Sequence, residues 1–367
     1  MAYNVSNDRL LFIGISALTL FGLLMVYSAS IVVAEQRGAP SYYFVRQSCY
    51  AGVGYLLMIL LVFIDYHKWL RPRVIMLLAA LSLSGLILVF TQSSVKGAQR
   101  GLRFGQFGSF QPSEIAKLVL LFYLAFFLQK HQPVIKQPGL RLLPCLMFIG
   151  LFAGLIGFEP DLGQAVCILI ITALLLFIAG LDWKYIWIAI LSSAPGFYFF
   201  VWQVPFRRAR VLAWLAALRD PLSAGYHIRH ATIAVGHGGL LGVGFGDSRE
   251  KFLFLPEAPN DFIYAVIGEE LGLVGAILVA AAFLGYLYWG LKISIKAPDC
   301  GGFYLGLGIS LMVVLQAFIN LSTALSIVPT KGLTLPFVSQ GGSSLLVSLM
   351  ATGILLNISS QRKTHEG

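Results

Sequence analysis

About ten runs of mostly apolar residues, each near the roughly 20 residues needed to cross a bilayer, leave this chain little room for anything but a membrane protein. The runs cover residues 10–33, 44–64, 74–90, 114–128, 140–157, 162–180, 184–202, 262–290, 302–324 and 340–359. With 58% hydrophobic and 11% charged residues, the chain carries more apolar surface than one water-soluble core can hide. All ten runs are expected to be helices. In hydrocarbon a helix satisfies its own backbone hydrogen bonds, and the runs are too long and too uniformly apolar for barrel strands. The expected fold is an all-α polytopic membrane protein, residues 1–367 forming one integral membrane domain with a large extracytoplasmic loop, 203–261, between the seventh and eighth helices. No repeat or low-complexity tract is visible, which weakens an inverted-repeat transporter.

The first run could pass for a signal peptide ending near Ser28–Ser30. Its apolar stretch is about twice the usual length of such a region and Asp8 flanks it, so it reads as a span. Cys49, Cys145, Cys167 and Cys300 show no metal-type spacing and suggest no disulfide framework.

The short loops give the orientation. With the N-terminus inside, the inner segments carry Arg9; Lys68, Arg71 and Arg73; Lys130, Lys136 and Arg141; Lys184; Lys292 and Lys296; and Arg362 and Lys363. Both termini are then cytoplasmic. Two outer segments break the pattern. Residues 91–113 hold Arg100 and Arg103, and 203–261 hold Arg207, Arg208, Arg210 and Lys251 among other cations. Long loops cross regardless of charge, so these cations are either merely tolerated or form an outer cleft for an anionic lipid head group, to which Arg binds bidentately. The net charge of +10 fits either reading. Nucleic acid is a poor partner, because no binding fold is recognisable and these cations face outward.

The acids are more selective. Glu114 and Lys117, three apart in "FQPSEIAKLVL", share a helix face behind Pro112, which suits a first helical turn, and can neutralise each other. A charge at that depth points into protein or a wet cavity. In "LPEAPNDFIYAVIGEELG", Asn260 or Asp261 can cap the eighth helix, with Glu257 one turn earlier; Glu269 and Glu270 point to different faces. Gly268, Gly272 and Ala276 form a small-residue stripe near the face of Asp261 and predict a closely packed neighbouring helix. Asp261, at an outer mouth among cations, suits a general base for a substrate with a hydroxyl nucleophile and a phosphate leaving group. "GGLLGVGFGDS" lacks the strand and the Gly-Lys ending of a phosphate loop. His227, His230 and His237 promise no zinc geometry, and Ser343 and Ser344 read as a turn and helix start. Oxygen ligation has no fixed spacing, so a divalent ion (Mg or Mn) at Asp261 is compatible with the sequence.

Several stretches together resemble the SEDS family of bacterial cell-wall polymerases, its division branch most closely: "MVYSAS", "FGSFQPSEIAKLVL", "FEPDLGQA", "DPLSAGYH", "GGLLGVGFGDSREKFLFLPEAPNDF" and "LPFVSQGGSSLL", in order over nearly the whole chain. The resemblance implies a ten-helix glycosyltransferase that joins lipid II into glycan strands on the outer face and releases undecaprenyl pyrophosphate. It places the family's catalytic aspartate on Asp261, its Glu and Lys on Glu114 and Lys117, and a loop cation on Arg100. It implies no organic cofactor, and as partners a class B penicillin-binding protein with other divisome or elongasome membrane proteins. Arg103, Arg207, Arg208, Arg210, Lys251 and Glu257 are added as substrate contacts from charge and position. The family's usual residues are replaced at Gly101, Pro259, Asn260 and Gln340. A lipid II flippase and a non-catalytic division scaffold are the alternatives.

Overall fold

The computed structural model describes residues 5–361 apart from 37, 92–100, 104–108, 136–141, 160, 220–224, 253–254, 256 and 331. Each apolar run becomes helical. They form α1 (Val5–Glu35), α2 (Tyr42–Phe63), α3 (Pro72–Val89), α4 (Pro112–Ile135), α5 (Leu143–Phe158), α6 (Leu162–Ile178), α7 (Trp183–Ser192) with α8 (Ala194–Phe197), α11 (Ile263–Ile295), α12 (Cys300–Ala324) and α13 (Gly342–Ser360). Eight of these spans are long and apolar enough to cross a bilayer; α5 and α6 are shorter apolar helices. The chain is a polytopic all-α membrane protein. Its outward-facing apolar side chains, such as Met76 and Leu77 on α3, are exposed because lipid is their intended solvent. α4, α12 and α13 form the buried centre, and α2 packs along α13 where Gly54 and Gly353 let the backbones approach.

The structure departs from the sequence expectation in three places. The seventh run is not one regular helix: α7 ends at Ser192, Pro195 opens α8, and Tyr198–Trp202 continues as a π-helical turn. Residues 203–261 are not simply a loop, since they contain α9 (Pro205–Arg219) and α10 (Tyr226–Gly238). The small-residue stripe does meet a helix, but that helix is α10: Gly238 lies directly on the Gly268 carbonyl.

The third departure is in α11. Its 33 residues would run about 50 Å as one rod, well beyond a bilayer's hydrocarbon thickness. It is interrupted at Gly272, whose φ of 65° and ψ of −164° are open to glycine. The backbone groups freed there are satisfied by the glycine-rich segment after α10. Val243 N donates to Glu269 O (3.0 Å), Gly244 N to Glu270 O (3.1 Å), and Leu273 N to Gly239 O (2.9 Å). This is the role of "GGLLGVG": it repairs a broken helix. Gly242, at φ 84°, lies against the Glu270 carbonyl with no space for a Cβ. Gly242→Ala is expected to lower stability by at least about 1–2 kcal/mol from backbone strain alone, whereas Gly285→Ala, in open space on α11, should not be destabilising. Thermal unfolding of both variants in detergent checks this.

Candidate functional site

Polar residues from α2, the entry to α4 and the entry to α13 converge on one cavity. On α2, Tyr43, Arg46, Gln47 and Tyr50 follow i, i+3, i+4, i+7 spacing and share one face. That face forms one wall of a cavity of about 230 Å³. The opposite wall comes from Gln111, just before α4, and from Thr334, Gln340, Ser343 and Ser344 at the entry to α13. Asn260 contributes the rim. Arg46 is the one charged side chain lining this cavity among the described residues, the others being hydroxyls and amides. Such a lining suits a polyhydroxylated ligand.

Asp261 adjoins this rim, half-buried in the tight turn before α11. Glu257 opens the turn with φ 59°, a conformation that costs an L-residue about 1–2 kcal/mol, and its carbonyl accepts from the amides of Asn260 (3.0 Å) and Asp261 (3.1 Å). Phe262 occupies the cap position without a side-chain bond, and the Asn260 amide donates to Glu257 Oε2 at 2.6 Å. The turn is held from outside instead. Gln340 N donates to Pro259 O (2.9 Å), and Asn320 Nδ2 donates to Asp261 O (2.9 Å) and Leu333 O (2.6 Å).

The helix that carries Asn320, α12, also meets the Glu114–Lys117 pair of α4. One turn earlier on α12, Gln316 Oε1 accepts from Lys117 Nζ at 2.5 Å while its Nε2 reaches Thr334 O (3.0 Å) and Ser344 Oγ (3.2 Å). Lys117 pairs with Glu114 at 2.9 Å, the two side chains only 1% and 3% exposed. Gln164 Nε2 donates to Glu114 Oε1 (2.5 Å). Asp161, at the α6 N-cap, accepts from Gln164 N (3.3 Å) and from Gln111 Nε2 (2.7 Å), and Gln111 N donates to Ser343 Oγ (2.9 Å). A continuous polar cluster therefore runs from the buried ion pair to the cavity wall and the Asp261 turn. Sequence reasoning missed Gln111, Asp161, Gln164, Gln316 and Asn320. The available signal was two amides four residues apart on an otherwise apolar α12.

The remaining sequence candidates divide. Lys251 does not face a substrate cleft: 1% exposed, it spends three N–H bonds on Glu270 Oε1 (2.8 Å), Ser28 Oγ (3.1 Å) and Gly246 O (2.5 Å). Glu269 accepts from Ser248 Oγ (2.5 Å) and Arg249 N (3.0 Å). Glu269 and Glu270 thus pin residues 246–251 to α11 and α1, and the four acids of the 252–275 stretch serve two different ends. Arg207 donates to the carbonyls of Phe200 (2.7 Å) and Gly157 (3.2 Å), bracing α9. Arg208 is exposed, and Arg210 is half-buried with its guanidinium 4.3 Å from the Phe206 ring. Arg100 and the Arg103 side chain lie outside the described residues.

The histidines take separate partners. His230 meets Glu250 at 2.7 Å and His237 lies 3.9 Å from Glu269. His227 stacks parallel to Phe262, and burial, then the Arg210 charge, hold its pKa below the usual histidine value. Among the described residues, no three His, Cys, Asp or Glu side chains converge as a metal cage.

These features define a helical membrane protein with a sugar-sized polar cavity, a carboxylate at Asp261 one residue beyond the lining residue Asn260, and a buried ion pair linked to the cavity wall through Gln316. The chain belongs to the FtsW/RodA/SpoVE (SEDS) family, whose profile, described as "Cell cycle protein", matches residues 8–364. It is 42% identical over 351 residues to the probable peptidoglycan glycosyltransferase FtsW of Geobacter metallireducens, covering 95% of this chain and 93% of that one. It is 36% identical over 356 residues to stage V sporulation protein E of Bacillus subtilis, with 96% and 97% covered. Two solved structures share the fold over 99% of this chain. One concerns the coordination of polymerization and crosslinking by a peptidoglycan synthase complex (TM-score 0.79, 26% identity, 99% of that chain). The other is Thermus thermophilus rod shape determining protein RodA (TM-score 0.69, 26% identity, 98% of that chain).

Proposed function

We propose that this protein is a peptidoglycan glycosyltransferase that polymerises lipid II, with the 203–261 end of the bundle outside the cytoplasmic membrane and both termini inside. The observation that carries the reading is Asp261 beside the rim of the 230 Å³ polar cavity, on a turn clamped through Asn320. The names of its relatives point the same way.

In this reading the acceptor's GlcNAc 4-hydroxyl attacks C1 of the donor's MurNAc. Asp261 takes the hydroxyl proton as the new C1–O bond forms, and the bond from C1 to the pyrophosphate oxygen breaks with inversion. Undecaprenyl pyrophosphate leaves with the electron pair. Arg208 and Arg210, with Arg100 and Arg103 on sequence grounds, stabilise its growing charge, while Arg207 holds the frame. The Glu114–Lys117 pair acts from behind, fixing Gln316 and so the cavity wall. The described side chains offer no cage for a metal, so a divalent ion at Asp261 would draw most of its ligands from phosphate and water. A class B penicillin-binding protein is the expected partner, in keeping with the synthase complex that shares the fold.

The cluster also weighs against a flippase. The small cavity that Lys117 shares with Leu120, Leu121, Leu124, Ile168, Ile171 and Met312 has Thr172 as its one neutral polar side chain, and α4 carries no further charge until Lys130, so no row of charges continues along that helix past the ion pair. Purified protein with its transpeptidase should convert labelled lipid II into long glycan chains, read by gel. Movement of lipid II between leaflets without chain growth would give the reaction to the transporter reading.

A further inference from the structure

Glu159 is the most conspicuous acid that the proposed reaction does not use. It sits where α5 ends, 0% exposed, and neither carboxylate oxygen has a hydrogen-bond partner among the described residues. Burial, and next the negative charge of Asp161 two residues on, push its pKa up to about 8. An orphaned buried carboxylate is costly, and the proton is the cheapest remedy at hand.

What makes its charge state consequential is its neighbour. Asp161 bonds Gln111 Nε2 at 2.7 Å, and Gln111 N in turn donates to Ser343 Oγ at 2.9 Å. Gln111 and Ser343 both line the cavity. The charged groups on the elements around Glu159 are Asp161 at the start of α6, Arg207 on α9, whose Nη2 reaches Gly157 O two residues before Glu159, and the Glu114–Lys117 pair of α4, reached through Gln164. Of these, it is the negative charge of Asp161 that opposes an ionised Glu159.

We propose that Glu159 is a positioning residue for substrate binding: while protonated it leaves Asp161 in place to hold Gln111 and the cavity wall, and loss of its proton sets two carboxylates against each other and releases that wall. This rests on the polymerase reading for its substrate and adds a residue, and an alkaline limit, to it. Below about pH 8 the proton stays on and the wall is held; above it, apparent affinity for lipid II falls.

The test is the KM and kcat of the purified complex for lipid II from pH 6.5 to 9.5, in wild type, Glu159→Gln and Glu159→Ala. Wild-type KM should rise about thirty-fold between pH 7 and 9.5, as expected when only the protonated form binds and its proton is lost near pH 8, with a smaller change in kcat. Glu159→Gln, which mimics the neutral acid, should match wild-type KM at pH 7 and stay flat to pH 9.5. Glu159→Ala, which leaves a hole, should be impaired at every pH. A wild-type KM that is flat, or a Gln variant with the same alkaline rise as wild type, overturns the proposal. If wild type makes no glycan at all, the polymerase reading fails separately. Fluorescent lipid II binding over the same pH range then decides Glu159: an alkaline loss of affinity in wild type but not in Glu159→Gln sustains it, and identical curves overturn it.

Discussion

Asp261→Asn is expected to slow glycan synthesis by about 10²- to 10⁴-fold, the usual contribution of a positioned base, while leaving thermal stability unchanged. The expectation of an intact fold follows from how the turn is held. Asn320 grips the Asp261 main-chain carbonyl, and the Asn260 and Asp261 amides bond to the Glu257 carbonyl, so none of these contacts needs the Asp261 carboxylate. Asparagine is nearly isosteric and can still accept a hydrogen bond, but it cannot take a proton at neutral pH. Glu257→Gln should be mild by comparison, because Glu257 Oε2 is turned toward the Asn260 amide at 2.6 Å and a glutamine oxygen can accept there too. Turnover of labelled lipid II by both variants, with unfolding temperatures alongside, separates the two carboxylates. An Asp261→Asn protein that polymerises at the wild-type rate with an unchanged unfolding temperature would remove Asp261 from the chemistry.

The membrane fold was open to sequence reasoning because span length and apolarity are local properties. α2, for example, was expected at 44–64 and is found at Tyr42–Phe63. Pro112 starts α4 as its chemistry suggests, and the Glu114–Lys117 pair follows from helical spacing alone. What stayed hidden depends on segments distant in sequence. Gly272 reads as one more small residue in a packing stripe; only with Gly239–Gly244 beside it can the backbone break and find partners. Lys251 resembles the other cations of the 203–261 segment, yet Ser28 and Glu270, 223 and 19 residues away, enclose it. Charge composition distinguishes an outward cation from a buried one poorly, because the desolvation of Lys251 is compensated by groups that the local sequence does not contain.

The link between Asp261 and the Glu114–Lys117 pair of α4 has the same character. Nothing in the spacing of residues 114, 117 and 261 joins them; the connection is made by α12, where Gln316 and Asn320 project from successive turns. Polar residues on a membrane helix are functional candidates by default, and these two amides carry that signal more clearly than several of the surface arginines. The same reasoning explains why Ser343 and Ser344, which are a turn and a helix start, are also cavity wall. The start of α13 is placed against Gln111 and Gln316 by the packing of α2, α4 and α12 around it.

Lys117→Ala should be the most destabilising substitution at the site, at about 3–5 kcal/mol, the usual cost of breaking a buried ion pair from one side. With Lys117 gone, Glu114 keeps only Gln164 as a named hydrogen-bond donor, and Gln316 Oε1 loses its ammonium partner, all in a region 1–3% exposed. The double replacement Glu114→Gln with Lys117→Met removes both charges while keeping volume, so it should recover most of the lost stability, giving a coupling of the two sites that single variants cannot reveal. Activity should not return with it. Gln316 would no longer be fixed by an ammonium, and its bonds to Thr334 and Ser344, which shape the cavity, would be free to rearrange. Unfolding temperatures and lipid II turnover for wild type, both single variants and the double variant complete the cycle. If Lys117→Ala is as stable as the double replacement, the pair is not a buried charge couple. If the stable double variant polymerises at the wild-type rate, the pair holds the bundle but has no part in shaping the site.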